Sequence, residues 1–129
     1  MKTLDQLRTI AKEENTIFYK TGCPFCAASE KLFNKLQENG IINSFNIYYL
    51  YQDFNDEQLT ELVTEYGWES TSQYQLNCTK PQIFIKGDYV GGNFELHKSK
   101  WNIGDTGSGL LLVNGEEKNT PMLKNPMRF

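Results

Sequence analysis

Cys23-Pro24-Phe25-Cys26 constrains this chain more than any other stretch, because of what flanks it. The apolar run Thr16-Ile17-Phe18-Tyr19 reads as a short buried strand ending near residue 20. A helical pattern with Leu32, Phe33 and Leu36 on one stripe then runs on to Gly40, which suits a left-handed helix cap. The two cysteines therefore fall on a strand-to-helix junction. A helix N-terminus carries partial positive charge and unpaired backbone N–H groups. Pro24 fits the first helical position, where a missing N–H costs nothing. That places Cys23 at the cap and Cys26 about one turn on, on the same side. A free thiol with a pKa of ~8.5 is only a few per cent ionised at neutral pH, whereas thiols at helix N-termini or beside cations fall to roughly 3.5–7.5. Cys23 is expected to attack as a thiolate and Cys26 to resolve the mixed disulfide. Lys20, at the strand end, either adds a cation or is merely solvated.

The rest of the chain supplies elements for an α/β sheet. Thr3 and Gln6 form a capping box for a helix through Glu14, with Leu4, Leu7 and Ile10 inward. Residues 46–51 are rich in strand formers. Asn55 caps a helix with Leu59, Leu62, Val63 and Tyr66 inward and Gly67 as its stop. Residues 68–79 are polar and aperiodic, a loop before Pro81. Gln82–Ile85 reads as a strand, Gly87-Asp88 as a two-residue hairpin turn, and Tyr89-Val90 as the return strand. After Gly91-Gly92, Asn93 is expected to cap a last helix reaching about Trp101. Strands joined through helices imply parallel pairing and a tight hairpin implies antiparallel pairing. The expectation is a mixed four-stranded sheet flanked by helices, with the cysteines at the C-terminal end of the first strand, where ligands approach open α/β sheets. A strand or hairpin near residues 110–118 fits the glycine-rich end of the chain, as does a loose extension.

Composition narrows the function classes. At 129 residues with 39% hydrophobic side chains, the chain suits one domain, 1–129, with a core that needs no disulfide staples. A net charge of −3 and a pI of ≈ 5.2 argue against general nucleic-acid or anionic-membrane binding. No apolar stretch approaches the ~20 residues that span a bilayer, and residues 1–6 lack the apolar core of a signal peptide. A cytoplasmic setting is expected. Three cysteines, an odd number, fit poorly with a secreted disulfide framework, and in a reducing compartment a close pair is catalytic or metal-binding more often than structural.

Lys20-Thr21-Gly22-Cys23-Pro24-Phe25-Cys26, then Thr79-Lys80-Pro81, then Gly91-Gly92-Asn93 occur in the order and rough spacing of dithiol glutaredoxins, which this chain resembles over about residues 15–101. The stretch Asp56–Glu65 and the long connection to Thr79 are similar to the small glutaredoxins of T-even bacteriophages, which would set the protein in a host cytoplasm. The resemblance implies a thioredoxin-like fold with an extra N-terminal helix and an extension over about 102–129. It implies glutathione as reductant, no obligatory metal, and disulfide-bearing protein clients such as a ribonucleotide reductase; nothing in the sequence demands more than a monomer. It also implies a cis Pro81, whose preceding backbone is exposed as an edge, so that Lys80 pairs with the cysteine of glutathione as an added strand does. Gly92 and Asn93 would offer N–H groups to the γ-glutamyl carboxylate. Lys20 would meet the glycyl carboxylate or the thiolate, and Phe25 would form an apolar wall. Lys80 stands where the family usually has an apolar residue, and Asn93, Phe94 and Glu95 depart from its usual polar and acidic run.

Two further readings stay open. A thioredoxin-like reductant fed by a reductase protein would share the dithiol without needing glutathione. A metal or Fe–S module could draw on Cys23, Cys26, Cys78 and His97, but a buried inert Cys78 and an exposed helical His97 are the plainer expectations.

Overall fold

The first helix starts where its cap dictates. The Thr3 hydroxyl accepts the N–H of Gln6 at 3.1 Å and the Gln6 side chain accepts the N–H of Thr3 at 2.8 Å, opening α1 (Leu4–Glu13). The computed structural model describes residues 1–103 and the backbone of two strands, Leu110–Val113 and Glu116–Pro121. After α1 come β1 (Thr16–Tyr19), α2 (Pro24–Glu38), β2 (Asn46–Tyr49), α3 (Asp56–Glu65), β3 (Gln82–Ile85), β4 (Asp88–Gly91) and α4 (Asn93–Lys98). The strands at 110–113 and 116–121, β5 and β6, pair antiparallel as a separate two-stranded sheet.

The main sheet has the order β2-β1-β3-β4. β1 runs parallel to β2 and antiparallel to β3, and β3 runs antiparallel to β4. This is the mixed four-stranded sheet that the order of elements predicts. Period-two alternation divides its faces. Ile17, Ile83 and Ile85 point to one side with Leu32, Phe33, Leu36 and Leu96 of α2 and α4. Phe18 and Phe84 point to the other with Leu7, Ile10, Leu59, Leu62 and Val63 of α1 and α3. Both α2 and α3 end as glycine predicts. Gly40 (φ +72°) and Gly67 (φ +103°) take the left-handed position, and the paired bonds Gly40 N–H to Gln37 and Ile41 N–H to Leu36 close the end of α2.

Several boundaries differ from the expectation. α1 ends at Glu13 with Glu14 its cap, and β2 stops at Tyr49, short of Tyr51, which takes a positive φ of +71°. The hairpin turn is Lys86-Gly87, not Gly87-Asp88: Ile85 pairs with Asp88, and Lys86 and Gly87 both have positive φ, +52° and +83°. A two-residue turn with both central residues left-handed matches the strand twist, and Asn15 makes this register hold by accepting the Lys86 N–H at 2.8 Å. The cap of α4 is Gly92, with Asn93 its first helical residue. α4 also stops at Lys98, before Trp101, where the Ser99 hydroxyl bonds back to the Leu96 carbonyl at 2.7 Å.

Candidate functional site

β1 and α2 deliver the two sulfurs. Cys23 is the N-cap of α2 with Pro24 as its first residue, and its Sγ accepts the Cys26 N–H at 3.2 Å. This is a sulfur in the role a serine or aspartate oxygen plays at other caps. The Cys23 thiol also points at the carbonyl of Lys80, 3.6 Å away. Cys23 is partly exposed and Cys26 is fully buried. Burial first, and then the neighbouring Cys23 thiol, push the Cys26 thiol up to about 12, while the N–H of Lys20, 3.5 Å from Cys26 Sγ, pulls the other way. One sulfur thus faces solvent at a helix start and its partner waits behind it as a neutral thiol.

Beside Cys23 lies a groove of ≈ 300 Å³ lined by Phe25, Lys80, Pro81, Gly92, Asn93 and Glu95, with Thr79 and Phe94 at its edge. The Lys80-Pro81 bond is cis. Phe25 and Phe94 stand 63% and 67% exposed, an apolar pair on the rim of the groove. The buried Ser29 hydroxyl ties the two helices that flank it, lying 3.0 Å from the Phe25 carbonyl of α2 and 2.8 Å from the Asn93 side-chain amide of α4. Of the residues the sequence singles out, Phe25, Lys80, Pro81, Gly92 and Asn93 meet in this groove. Cys23 adjoins it through the Lys80 carbonyl, and Cys26 is buried behind Cys23. Lys20 stands apart. Its side chain is exposed and outside the groove lining, and its contribution to the cysteines is its backbone N–H.

Two carboxylates shape the site through contacts that sequence reasoning does not reveal. Lys80 turns its ammonium to the Asp56 carboxylate at the start of α3 and to the Cys78 carbonyl at 3.3 Å. Glu95 folds back so that its Oε1 accepts the Gly92 N–H at 2.7 Å. The Gly92 N–H expected to meet a ligand carboxylate is therefore already engaged, because a glutamate three residues into a helix reaches its own cap. The same fold-back demands the glycine pair. A Cβ on Gly91 would lie 3.0 Å from Glu95 Cβ and Cγ, and one on Gly92 would lie 3.1 Å from Glu95 Oε1.

Cys78 is buried, its thiol raised by burial, and its N–H donates to the Thr60 hydroxyl at 2.9 Å. His97 is exposed on α4. Among the described residues, no three His, Cys, Asp or Glu side chains gather as a metal site requires, and no helix is long and apolar enough to cross a membrane.

The sheet order, the cysteine-capped α2 and the cis proline facing it make this a thioredoxin-like fold. No protein-family model and no curated protein matches the chain. Among solved structures, it superposes on the buckwheat glutaredoxin–glutathione complex with a TM-score of 0.54 at 20% identity, covering 72% of this chain and 74% of that one. A mutated buckwheat glutaredoxin gives a TM-score of 0.53 at 19% identity over the same shares. At this identity the likeness is one of fold.

Proposed function

We propose that the protein is a thiol–disulfide oxidoreductase in which Cys23 exchanges with a target disulfide and Cys26 resolves the product, with glutathione restoring the dithiol. The observation that carries this reading is the asymmetry of the pair: a partly exposed, N–H-bonded sulfur at a helix N-terminus backed by a buried one within reach. Helix N-termini favour thiolate over thiol. The Cys23 thiolate attacks one sulfur of R–S–S–R′, the S–S bond breaks, and R′S⁻ leaves and takes a proton. Cys26 then loses its proton and attacks Cys23–S–S–R, releasing RS⁻ and leaving a Cys23–Cys26 disulfide. Two glutathione thiols return it to the dithiol and depart as one glutathione disulfide, so two electrons pass from glutathione to the target. Glutaredoxins poise at roughly −200 to −230 mV, within reach of cytosolic glutathione.

In this reading glutathione lies along the Lys80-Pro81 edge, its cysteine paired with the backbone of Lys80, Phe25 as a wall and the Asn93 N–H toward its γ-glutamyl end. The buckwheat structure of similar fold is a glutaredoxin–glutathione complex, which supports glutathione as the ligand. Lys20 meets the glycyl carboxylate. The likeness of residues 56–65 and their long connection to Thr79 to phage glutaredoxins favours a host-cytoplasm protein. The glutaredoxin resemblance favours one without an obligatory metal and with a ribonucleotide reductase among its clients, and nothing in the sequence demands more than a monomer. One observation favours a second reading, a reductant fed by a reductase protein: with the Gly92 N–H bound to Glu95, the groove has one donor fewer for a free carboxylate.

The test follows glutathione-driven turnover of a small mixed disulfide. Cys23→Ser is expected to abolish it, and Cys26→Ser to retain exchange with glutathionylated substrates while losing reduction of protein disulfides. Turnover surviving Cys23→Ser would remove the assigned nucleophile. Rapid reduction by thioredoxin reductase with none by glutathione would select the second reading.

A further inference from the structure

We propose that the groove beside Cys23 and the cavity behind it form one trough for an extended client peptide carrying a basic side chain, and that Glu95 is the charge that selects it. This rests on the exchange reading above and names the client class of that site.

The trough follows from shared walls. A second cavity of ≈ 430 Å³ lies under the 68–79 segment, lined by Trp68, Thr71, Gln75, Gln82, Tyr89 and Val90 among others, and it meets the first groove at Thr79, Gly92 and Glu95. Together they run from Lys80, whose carbonyl touches Cys23, past Gly92 and under the 68–79 segment. That space exceeds what one side chain fills and suits several residues of extended chain, whose side chains alternate between the trough and solvent.

Charge decides what kind of chain. The charged side chains lining the two cavities are Lys80 and Glu95. Lys80 is neutralised by Asp56. Glu95 accepts only the Gly92 N–H, and among the described residues no lysine, arginine or histidine lies within ion-pair distance of it. The trough therefore carries one uncompensated negative charge where its two parts join. An acidic client side chain there meets repulsion and a basic one attraction. The remaining lining is apolar or neutral. On the rim the Phe94 ring already carries the Lys98 ammonium, 4.5 Å from its centroid, so the exposed Phe25 is the aromatic that covers the aliphatic stem of a client lysine or arginine.

The test uses synthetic disulfide-linked peptides of one sequence in which Arg, Gln or Glu scans the three positions on either side of the cysteine. Second-order reduction rates are read at low and at high salt. The native protein is expected to reduce Arg peptides roughly 2- to 5-fold faster than Glu peptides at one or two of those positions, the size of an exposed ion pair. The ratio is expected to shrink in high salt. Glu95→Gln keeps an oxygen for the Gly92 N–H and removes the charge, so its Arg-to-Glu ratio is expected to approach one. Equal rates for all peptides with the native protein would overturn the proposal without the variant, and an unchanged ratio in Glu95→Gln would overturn the assignment to Glu95. Reduction of 2-hydroxyethyl disulfide, small and neutral, is measured alongside. If that fails too, the exchange reading itself falls and takes the proposal with it.

Discussion

Cys26 makes a pH prediction that the exposed sulfur does not. Its thiol sits behind Cys23 with no solvent exposure, and burial lifts it from an ordinary 9.0 to about 12. Between those values the unfolded chain has released this proton while the folded chain still holds it. The unfolded state then binds fewer protons, and stability falls as pH rises through the window. Cys78, Tyr48 and Tyr89 are raised by burial too and push in the same direction. Urea midpoints measured from pH 7 to 11 are expected to hold steady to about pH 9 and then decline, the decline being shallower in Cys26→Ala, and a flat profile would contradict the buried neutral thiol. The cysteines were legible in the sequence because strand, proline and helix stand side by side in it. The contacts of Asp56 and Glu95 were not. Asp56 meets Lys80 across 24 residues of chain, a contact only the folded sheet creates. Glu95 stands out as a departure from the glutaredoxin pattern, but its bond to the cap does not, because the cap is Gly92 and a capping-box pattern is recognised by a side chain that glycine lacks.

At the scale of elements, the glycine pair before α4 is where backbone and site constrain each other most. Gly91 has φ +106° and ends β4, and Glu95 packs against the space its side chain would need. Gly91→Ala combines a strained conformation with a contact that forces Glu95 away from Gly92. It is expected to cost about 1–3 kcal/mol, measured by denaturant unfolding, and to lower groove-dependent exchange by displacing Glu95. A variant as stable as the native protein would mean that this turn relaxes freely. Local patterning found the helices and strands because capping residues and apolar periodicity act within one turn or one strand. It misplaced the hairpin turn by one residue because the deciding contact, Asn15 to the Lys86 N–H, joins segments 71 residues apart. It overran α4 because Trp101 looks like the next inward helical position, whereas the Ser99 hydroxyl bonds to Leu96 and ends the helix before it.

Across the whole molecule, the sheet separates two apolar layers that carry similar packing but unequal duties. The layer under α1 and α3 is aromatic, with Phe18 edge-on to Phe54 at 5.4 Å and to Phe84 at 6.0 Å, and Phe84 edge-on to Tyr66 at 5.0 Å. The buried residues of the layer under α2 and α4 are aliphatic apart from Phe33, which meets the half-buried Phe45 edge-on at 5.2 Å, and this layer seats both helices that flank the groove. Leu62 of α3 and Leu96 of α4 are each fully buried, one in each layer. Truncation of either leaves a cavity and is expected to cost roughly 2–5 kcal/mol. Their effects on exchange should part company. Leu96→Ala loosens the seat of α4, and with it Asn93 against Ser29 and Glu95 against Gly92. Leu62→Ala weakens the opposite layer and leaves the α2–α4 junction packed. With unfolding and mixed-disulfide turnover measured on both variants well below their melting temperatures, Leu96→Ala is expected to lose exchange rate several-fold beyond Leu62→Ala at matched stability loss. Equal rates, or a greater loss in Leu62→Ala, would mean that the groove draws its rigidity from the sheet as a whole and not from the layer beneath it.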